Sequence, residues 1–206
     1  MSDKNITPAI NRLFRSYLEY TQDTSEDTLF LLLTALHSLD DRLKPVHGRL
    51  FFEIPEYVTL KALRNHFHHG GELNYVLRVK ALGKNFLPVD LLHACLISTV
   101  DCVAAIEGAK EKYRNGVLQA FADTTKVYGE VADINPCIFN GIVKIYETLN
   151  NLGLAGENAA YEQFEIAYDL ETKNGFSHYV TGGVQTHAAN AHLVSKKMAS
   201  LYSNDV

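Results

Sequence analysis

The chain has 206 residues, 47% of them hydrophobic, and its 24 acidic and 19 basic side chains give a net charge of −5. This length and composition suffice for a substantial core in one domain and argue against intrinsic disorder. The longest apolar run, Leu29 to Leu33, is too short to cross a bilayer, and the polar N-terminus precedes no signal-peptide core. We therefore expect a cytoplasmic protein with no membrane partner.

Apolar residues at helical spacing predict most of the secondary structure. The first stripe begins after Thr7-Pro8, and the second consists mainly of leucines between Leu29 and Leu43. After a connection at 45–55, a third helix begins near Pro55, and the longest candidate helix begins at Asp90. In chain order, the predicted helices span about 8–20, 26–43, 56–69, 72–82, 90–114, 136–152, 159–170 and 186–202.

These segments show no internal repeat and no linker, so they predict an all-α helical bundle in one domain over residues 1–206. The part of the bundle that carries the polar motif described below spans about 7–115, and additional C-terminal helices form an extension over about 116–206. The pattern between 117 and 131 is weaker, because paired threonines and Gly129 interrupt it.

Residues 63–72, Leu-Arg-Asn-His-Phe-His-His-Gly-Gly-Glu, concentrate more polar chemistry than any other stretch of the chain. They fall on the last two turns of the third predicted helix, which Gly70 or Gly71 would end. On that helix Asn65 and His69 share one face, since they are four residues apart. Arg64 and His69 are about 140° apart around the axis, so they would flank a groove, especially one shared with a second copy.

The residue types in this cluster suit phosphate-ester chemistry that needs no metal and no cofactor. An imidazole that titrates near neutral pH can take up and release a proton during catalysis. A guanidinium fork binds a phosphate, and an amide can orient either partner. His66, His68 and Glu72 lie beside these groups and are candidates for supporting roles.

The Arg64-Asn65-x-x-x-His69 pattern resembles the motif of HEPN domains, helical bundles that include many toxin and antiviral ribonucleases. The resemblance implies an endoribonuclease that cuts RNA through its own 2′-hydroxyl without a metal, in a site shared across a homodimer. It also implies that Arg64 holds the scissile phosphate, Asn65 positions the reacting groups and His69 transfers protons. An antitoxin or another regulatory protein would then be a further partner.

The charge distribution supports an anionic partner despite the negative total. Residues 42–84 contain eight basic and three acidic side chains, a net +5, which leaves −10 for the remainder. Four of the nine histidines fall in the same segment. Such asymmetry would attract an anion such as RNA to one region of the surface.

Two alternatives stay open. One is a non-catalytic helical scaffold or nucleic-acid-binding protein that uses the basic segment without cutting. The other is a metal-dependent hydrolase, because His66, His69 and Glu72 step by three residues, although the Gly-Gly pair makes a continuous helix there less favourable.

Several other sites are not supported by the sequence. His178, His187 and His192 lack the spacing of a zinc helix. Cys95, Cys102 and Cys137 have no CxxC spacing and are expected to be buried free thiols. The chain contains no phosphate-binding glycine loop of the P-loop or dinucleotide type.

Overall fold

The computed structural model describes residues 6–70, 75–81, 91–181 and 191–203. Within these ranges only the backbone is described at 69–70, 75–81, 91–93, 191–193 and 201. In chain order the elements are α1 (Ile6–Gln22), α2 (Glu26–His47), a 3₁₀ turn (Leu50–Glu53), α3 (Pro55–Gly70), β1 (Tyr75–Ala81), β2 (Leu91–Ser98), α4 (Thr99–Glu107), α5 (Glu111–Thr124), β3 (Lys126–Tyr128), β4 (Val131–Asp133), α6 (Asn135–Asn151), α7 (Ala159–Asn174) and α8 (Ala191–Ser203).

The predicted helical bundle is confirmed, with α3 at its centre. This helix packs against α2, α4, α5 and α6, and its residues Tyr57, Leu60 and Leu63 are at most 1% exposed. The helices predicted near 8–20, 26–43, 56–69, 136–152 and 159–170 are all present. The helix predicted over 186–202 is present from Ala191, and its first residues lie outside the described ranges. Cys95, Cys102 and Cys137 are buried and free, as expected.

Two helix predictions were wrong, because residues 75–81 and 91–98 form strands of a small antiparallel sheet with order β1-β2-β4-β3. The predicted helix over 72–82 corresponds to β1, where Tyr75, Leu77 and Val79 alternate with other residues at strand spacing. The helix predicted over 90–114 is instead β2, α4 and the start of α5, which continues through Asn115 and Gly116 to Thr124.

The two faces of β2 explain why its sequence resembles a buried helix. Cys95 and Ile97 belong to the main core, whereas Ala94 and Leu96 pack with Met198 of α8 on the other face. A strand covered on both faces has a continuous apolar sequence, and periodicity alone cannot distinguish that from helix. The main core includes residues from Ile6 to Tyr161. The division into a bundle at 7–115 and an extension at 116–206 stays a prediction.

The N-terminal turn of α3 is joined to α6 by a partly buried ion pair and a close helix crossing. Lys144 Nζ of α6 donates to both carboxylate oxygens of Glu56, at 2.7 and 2.8 Å. The Glu56 side chain is 7% exposed and that of Lys144 is 35% exposed. At Gly141, a Cβ atom would lie 3.1 Å from Glu56 Cβ, so the glycine lets α3 and α6 approach. These contacts fix the position from which α3 extends towards the polar motif.

We expect Lys144→Met to lower the free energy of unfolding by roughly 1–3 kcal/mol, because it leaves the Glu56 carboxylate buried without its cation. Adding Glu56→Gln should recover part of this loss by removing the unpaired charge. Urea unfolding followed by circular dichroism would measure both effects. Lys173→Met, at an exposed lysine of α7, is the matched control. Unchanged stability in Lys144→Met would show that the pair does not hold α3 in place.

Candidate functional site

A groove of about 840 Å³ lies between α3 and the segment formed by α4, α5 and their connection, and the end of α2 closes one side. We call it the basic groove. The residues of α3 that line it recur every three or four positions, which places them on one face of the helix. These are Val58, Lys61, Ala62, Asn65 and His66.

Five basic side chains line the basic groove, against the two carboxylates of Asp40 and Asp41. The basic residues are Lys44, Arg49, Lys61, Lys110 and Lys112. All except Lys61 are exposed. The 42–84 segment supplies three of the five, and the other two come from the α4–α5 connection and the first turn of α5. The groove is therefore electropositive although the whole chain is acidic, which favours an anionic ligand.

Lys61 differs from the other four because it forms an ion pair with a buried carboxylate of the protein. Its Nζ donates to Asp40 Oδ2 at 3.0 Å and to Tyr57 Oη at 2.9 Å. Asp40 is 2% exposed, so the ammonium neutralises a buried carboxylate. Lys61 thus shapes the wall, and the exposed cations are those available to a ligand.

The polar motif is split between two faces of α3. Asn65 and His66 line the basic groove, and the exposed Asn65 accepts a hydrogen bond from Arg64 Nη1 at 3.3 Å. Arg64 is half-buried and does not line the groove, and its Nε is buried with no hydrogen-bond partner among the described residues. His68 is exposed and also lies outside the groove lining.

His69 lies within α3, one helical turn beyond Asn65, and its side chain is outside the described residues, as is Glu72 altogether. The structure therefore brings two motif residues, Asn65 and His66, to the groove.

An aspartate that the sequence analysis did not identify holds His66. The Nε2 atom of His66 lies 3.3 Å from Asp101 Oδ1. Ser98 donates from Oγ to the other carboxylate oxygen at 2.8 Å, and the same Oγ caps α4 by accepting the Asp101 N–H at 3.0 Å. A carboxylate fixed in this way orients the imidazole through its Nε2 atom. The predicted helix over 90–114 concealed this arrangement, because it placed Ser98 and Asp101 in a helix interior.

One end of the basic groove is aromatic. The guanidinium carbon of Arg49 lies 5.3 Å from the centre of the Phe52 ring, and Lys61 Nζ lies 4.6 Å from it. Tyr113, on α5, is 43% exposed, and Lys112 Nζ lies 4.8 Å from its ring centre. Hydrogen bonding to Lys112, and secondarily to Arg49, lowers the pKa of the Tyr113 phenol. Arg49 therefore lies near two aromatic side chains, Phe52 on one wall of the groove and Tyr113 on the other.

One group of side chains beside the groove has the composition of a metal site. His37, Asp40 and Asp41 have ligand atoms within 4.8 Å of one another. The Lys61 ammonium, 3.0 Å from Asp40, already supplies a positive charge there. Burial, together with the charges of Lys61 and Arg64, lowers the pKa of His37. We interpret this group as part of the polar wall that Lys61 organises.

Of the three C-terminal histidines, His178, His187 and His192, the first has a structural role. His178 stacks on Tyr168 with ring centres 3.7 Å apart, and its Nδ1 lies 2.7 Å from Glu171 Oε2. It therefore fixes the segment after α7 onto that helix. His187 and the His192 side chain lie outside the described residues.

Comparison with protein-family models, curated proteins and solved structures gave no match. Among the described residues, no helix is both long enough and apolar enough to span a bilayer.

We expect Lys112→Ala to raise the pKa of Tyr113 towards its ordinary value, and Arg49→Ala to raise it less. The reason is that each variant removes a cation that stabilises the phenolate. NMR titration of tyrosine ¹³Cζ resonances would measure these shifts. Lys173→Ala, outside the groove, should leave the titration unchanged. A wild-type Tyr113 that titrates at or above the ordinary value would contradict the described groove geometry.

Proposed function

We propose that the protein is a metal-independent endoribonuclease that binds RNA in the basic groove and cleaves it through the 2′-hydroxyl. One observation carries the proposal: Asn65 and His66, from the middle of the Arg64–His69 motif, line a groove with five basic side chains. The resemblance of the motif to that of HEPN ribonucleases supports the same reaction.

The reaction needs one group that accepts a proton and one that donates it. The 2′-oxygen attacks the adjacent phosphorus while its proton passes to a base, and the 5′-oxygen leaves with a proton from an acid. The products are a 2′,3′-cyclic phosphate and a 5′-hydroxyl. His66, held by Asp101, and His69, one turn from Asn65, are the two groups we assign to these steps. The sequence alone had suggested His69, and the groove adds His66.

Asn65 and Arg64 are assigned to the phosphate. Asn65 is exposed in the groove and can donate its amide to a non-bridging oxygen. Arg64 is coupled to the groove by its hydrogen bond to Asn65 Oδ1. Because Arg64 lies outside the groove lining, its guanidinium would stabilise the charge of the phosphorane-like transition state only where the edge of the groove meets a second copy of the chain. A second copy of the chain would supply another Arg64 to this edge, so we retain the homodimer as part of the proposal, with an antitoxin or regulatory protein as a further partner.

The groove also supports a second candidate, an RNA-binding protein that does not cut. Exposed Lys44, Lys110 and Lys112 suffice for electrostatic binding of a phosphate backbone without any contribution from the histidines. Product analysis separates the two functions.

We expect the purified protein to cut an unstructured RNA in the presence of EDTA, to leave 2′,3′-cyclic phosphate ends and to spare DNA of the same sequence. His66→Ala and His69→Ala should each lower the rate about 10²- to 10⁴-fold, because a proton-transfer group is lost. Arg64→Ala should cause a comparable loss, and Arg64→Lys should rescue it only in part, since an ammonium has no planar fork.

His68→Ala is the matched control, because His68 lies on the same helix outside the groove lining, and it should cut at the wild-type rate. Cleavage that stops with EDTA would assign the activity to a metal-dependent hydrolase. Tight RNA binding without any cleavage would support the RNA-binding function instead.

A further inference from the structure

We propose that the ligand of the basic groove is single-stranded RNA and that one of its bases stacks on Tyr113. This inference deepens the proposed function and relies on it only for the identity of the polymer as RNA. It is carried by the shape of the groove and by the placement of an exposed aromatic ring among exposed cations.

The shape of the groove favours a single strand over a duplex. Proteins read double-stranded nucleic acid mainly with elements that project into its grooves or across successive minor grooves. Here the cations and the motif residues lie within a concavity of about 840 Å³ between helices. A short stretch of backbone with its bases unstacked fits such a space better than an A-form helix, whose two strands would have to enter it together.

The chemistry of the groove is that of single-strand binding sites, in which a cationic channel follows the phosphates and aromatic side chains stack with bases. Lys44, Lys110 and Lys112 are exposed cations along the lining. Tyr113 lies among them with 43% of its surface exposed. Stacking on a phenol ring tolerates any base, because every base has a π-face.

Tyr113 is a better platform than the other aromatic ring of the groove. Among the described residues, two cations, Arg49 and Lys61, lie over the Phe52 ring, at 5.3 and 4.6 Å from its centre, whereas one, Lys112, lies over the Tyr113 ring, at 4.8 Å. Phe52 also packs on the core, whereas Tyr113 projects from the solvent-facing side of the first turn of α5. Arg49 therefore contributes a planar guanidinium supported by Phe52, and Tyr113 contributes the exposed ring. Both can contact the same base.

The test measures binding with a probe that cannot be cut. Fluorescence anisotropy at low salt would compare a labelled 2′-O-methyl RNA of about 12 nucleotides, without self-complementarity, with the same strand annealed to its complement. We expect the single strand to bind roughly 10-fold tighter or better. Tyr113→Ala should weaken single-strand binding roughly 5- to 100-fold, the contribution of one base–aromatic stack. Tyr113→Phe and Tyr113→Trp should keep it.

Phe176→Ala is the matched control, because Phe176 is an aromatic residue that is 67% exposed and lies outside the groove. It should bind the single strand like the wild type. Equal or tighter binding of the duplex would overturn the inference, as would wild-type binding by Tyr113→Ala. Cleavage is assayed separately, so the two proposals can fail independently. Single-strand binding that depends on Tyr113 without cleavage rejects only the nuclease. If the protein cleaves RNA but Tyr113→Ala binds the single strand like the wild type, only the stacking site is rejected.

Discussion

The burial of one face of α3 is the constraint on which the basic groove depends. Tyr57, Leu60 and Leu63 are at most 1% exposed, and this fixes the rotation of the helix about its axis. Once that rotation is set, helical geometry determines which of the clustered polar residues reach the groove. Asn65 and His66 do, and Arg64 does not. A different buried face would have presented a different part of the same motif to a ligand.

Polar contacts then fix α3 relative to its neighbours. The Glu56–Lys144 ion pair joins its first turn to α6, and the buried hydroxyls of Thr59 and Thr124, 3.0 Å apart, join it to α5. Since α5 carries Lys112 and Tyr113, the second contact also sets the spacing between the two walls of the groove. Buried polar groups of this kind must be satisfied together, so they specify one arrangement of the helices. The groove walls are thus formed mainly by helices, and the α4–α5 connection and the segment around the 3₁₀ turn complete them.

The basic side chains of the groove have two different roles, because one stabilises the fold and the others are available to a ligand. Lys61 compensates the buried carboxylate of Asp40 and is not available to a ligand without exposing that charge. Besides Asp40, the groove lining contains one carboxylate, that of Asp41, which is exposed. This division explains how a chain of net charge −5 can present an anion-binding surface. It also means that electrostatic binding and the stability of α3 can be altered separately.

The amphipathic helices could be predicted from the sequence because each buries a single stripe of apolar residues. Strand β2 could not, since residues such as Cys95 and Leu96 are buried on opposite faces and leave no period-two signal. Because this strand was predicted as a helix, Ser98 and Asp101, the residues that hold His66, could not be identified from the sequence. Lys110, Lys112 and Tyr113 are far from the motif in sequence, so only the packing of α5 on α3 brings them to it.

The most direct test of the groove as the functional site is to map the surface that RNA contacts. Backbone and side-chain NMR resonances would be followed during addition of a single-stranded 2′-O-methyl RNA to the wild-type protein. The account predicts that the largest shifts fall on Asn65, His66, Lys110, Lys112 and Tyr113. Shifts confined to α1 and α7, on residues outside the groove lining, would contradict it.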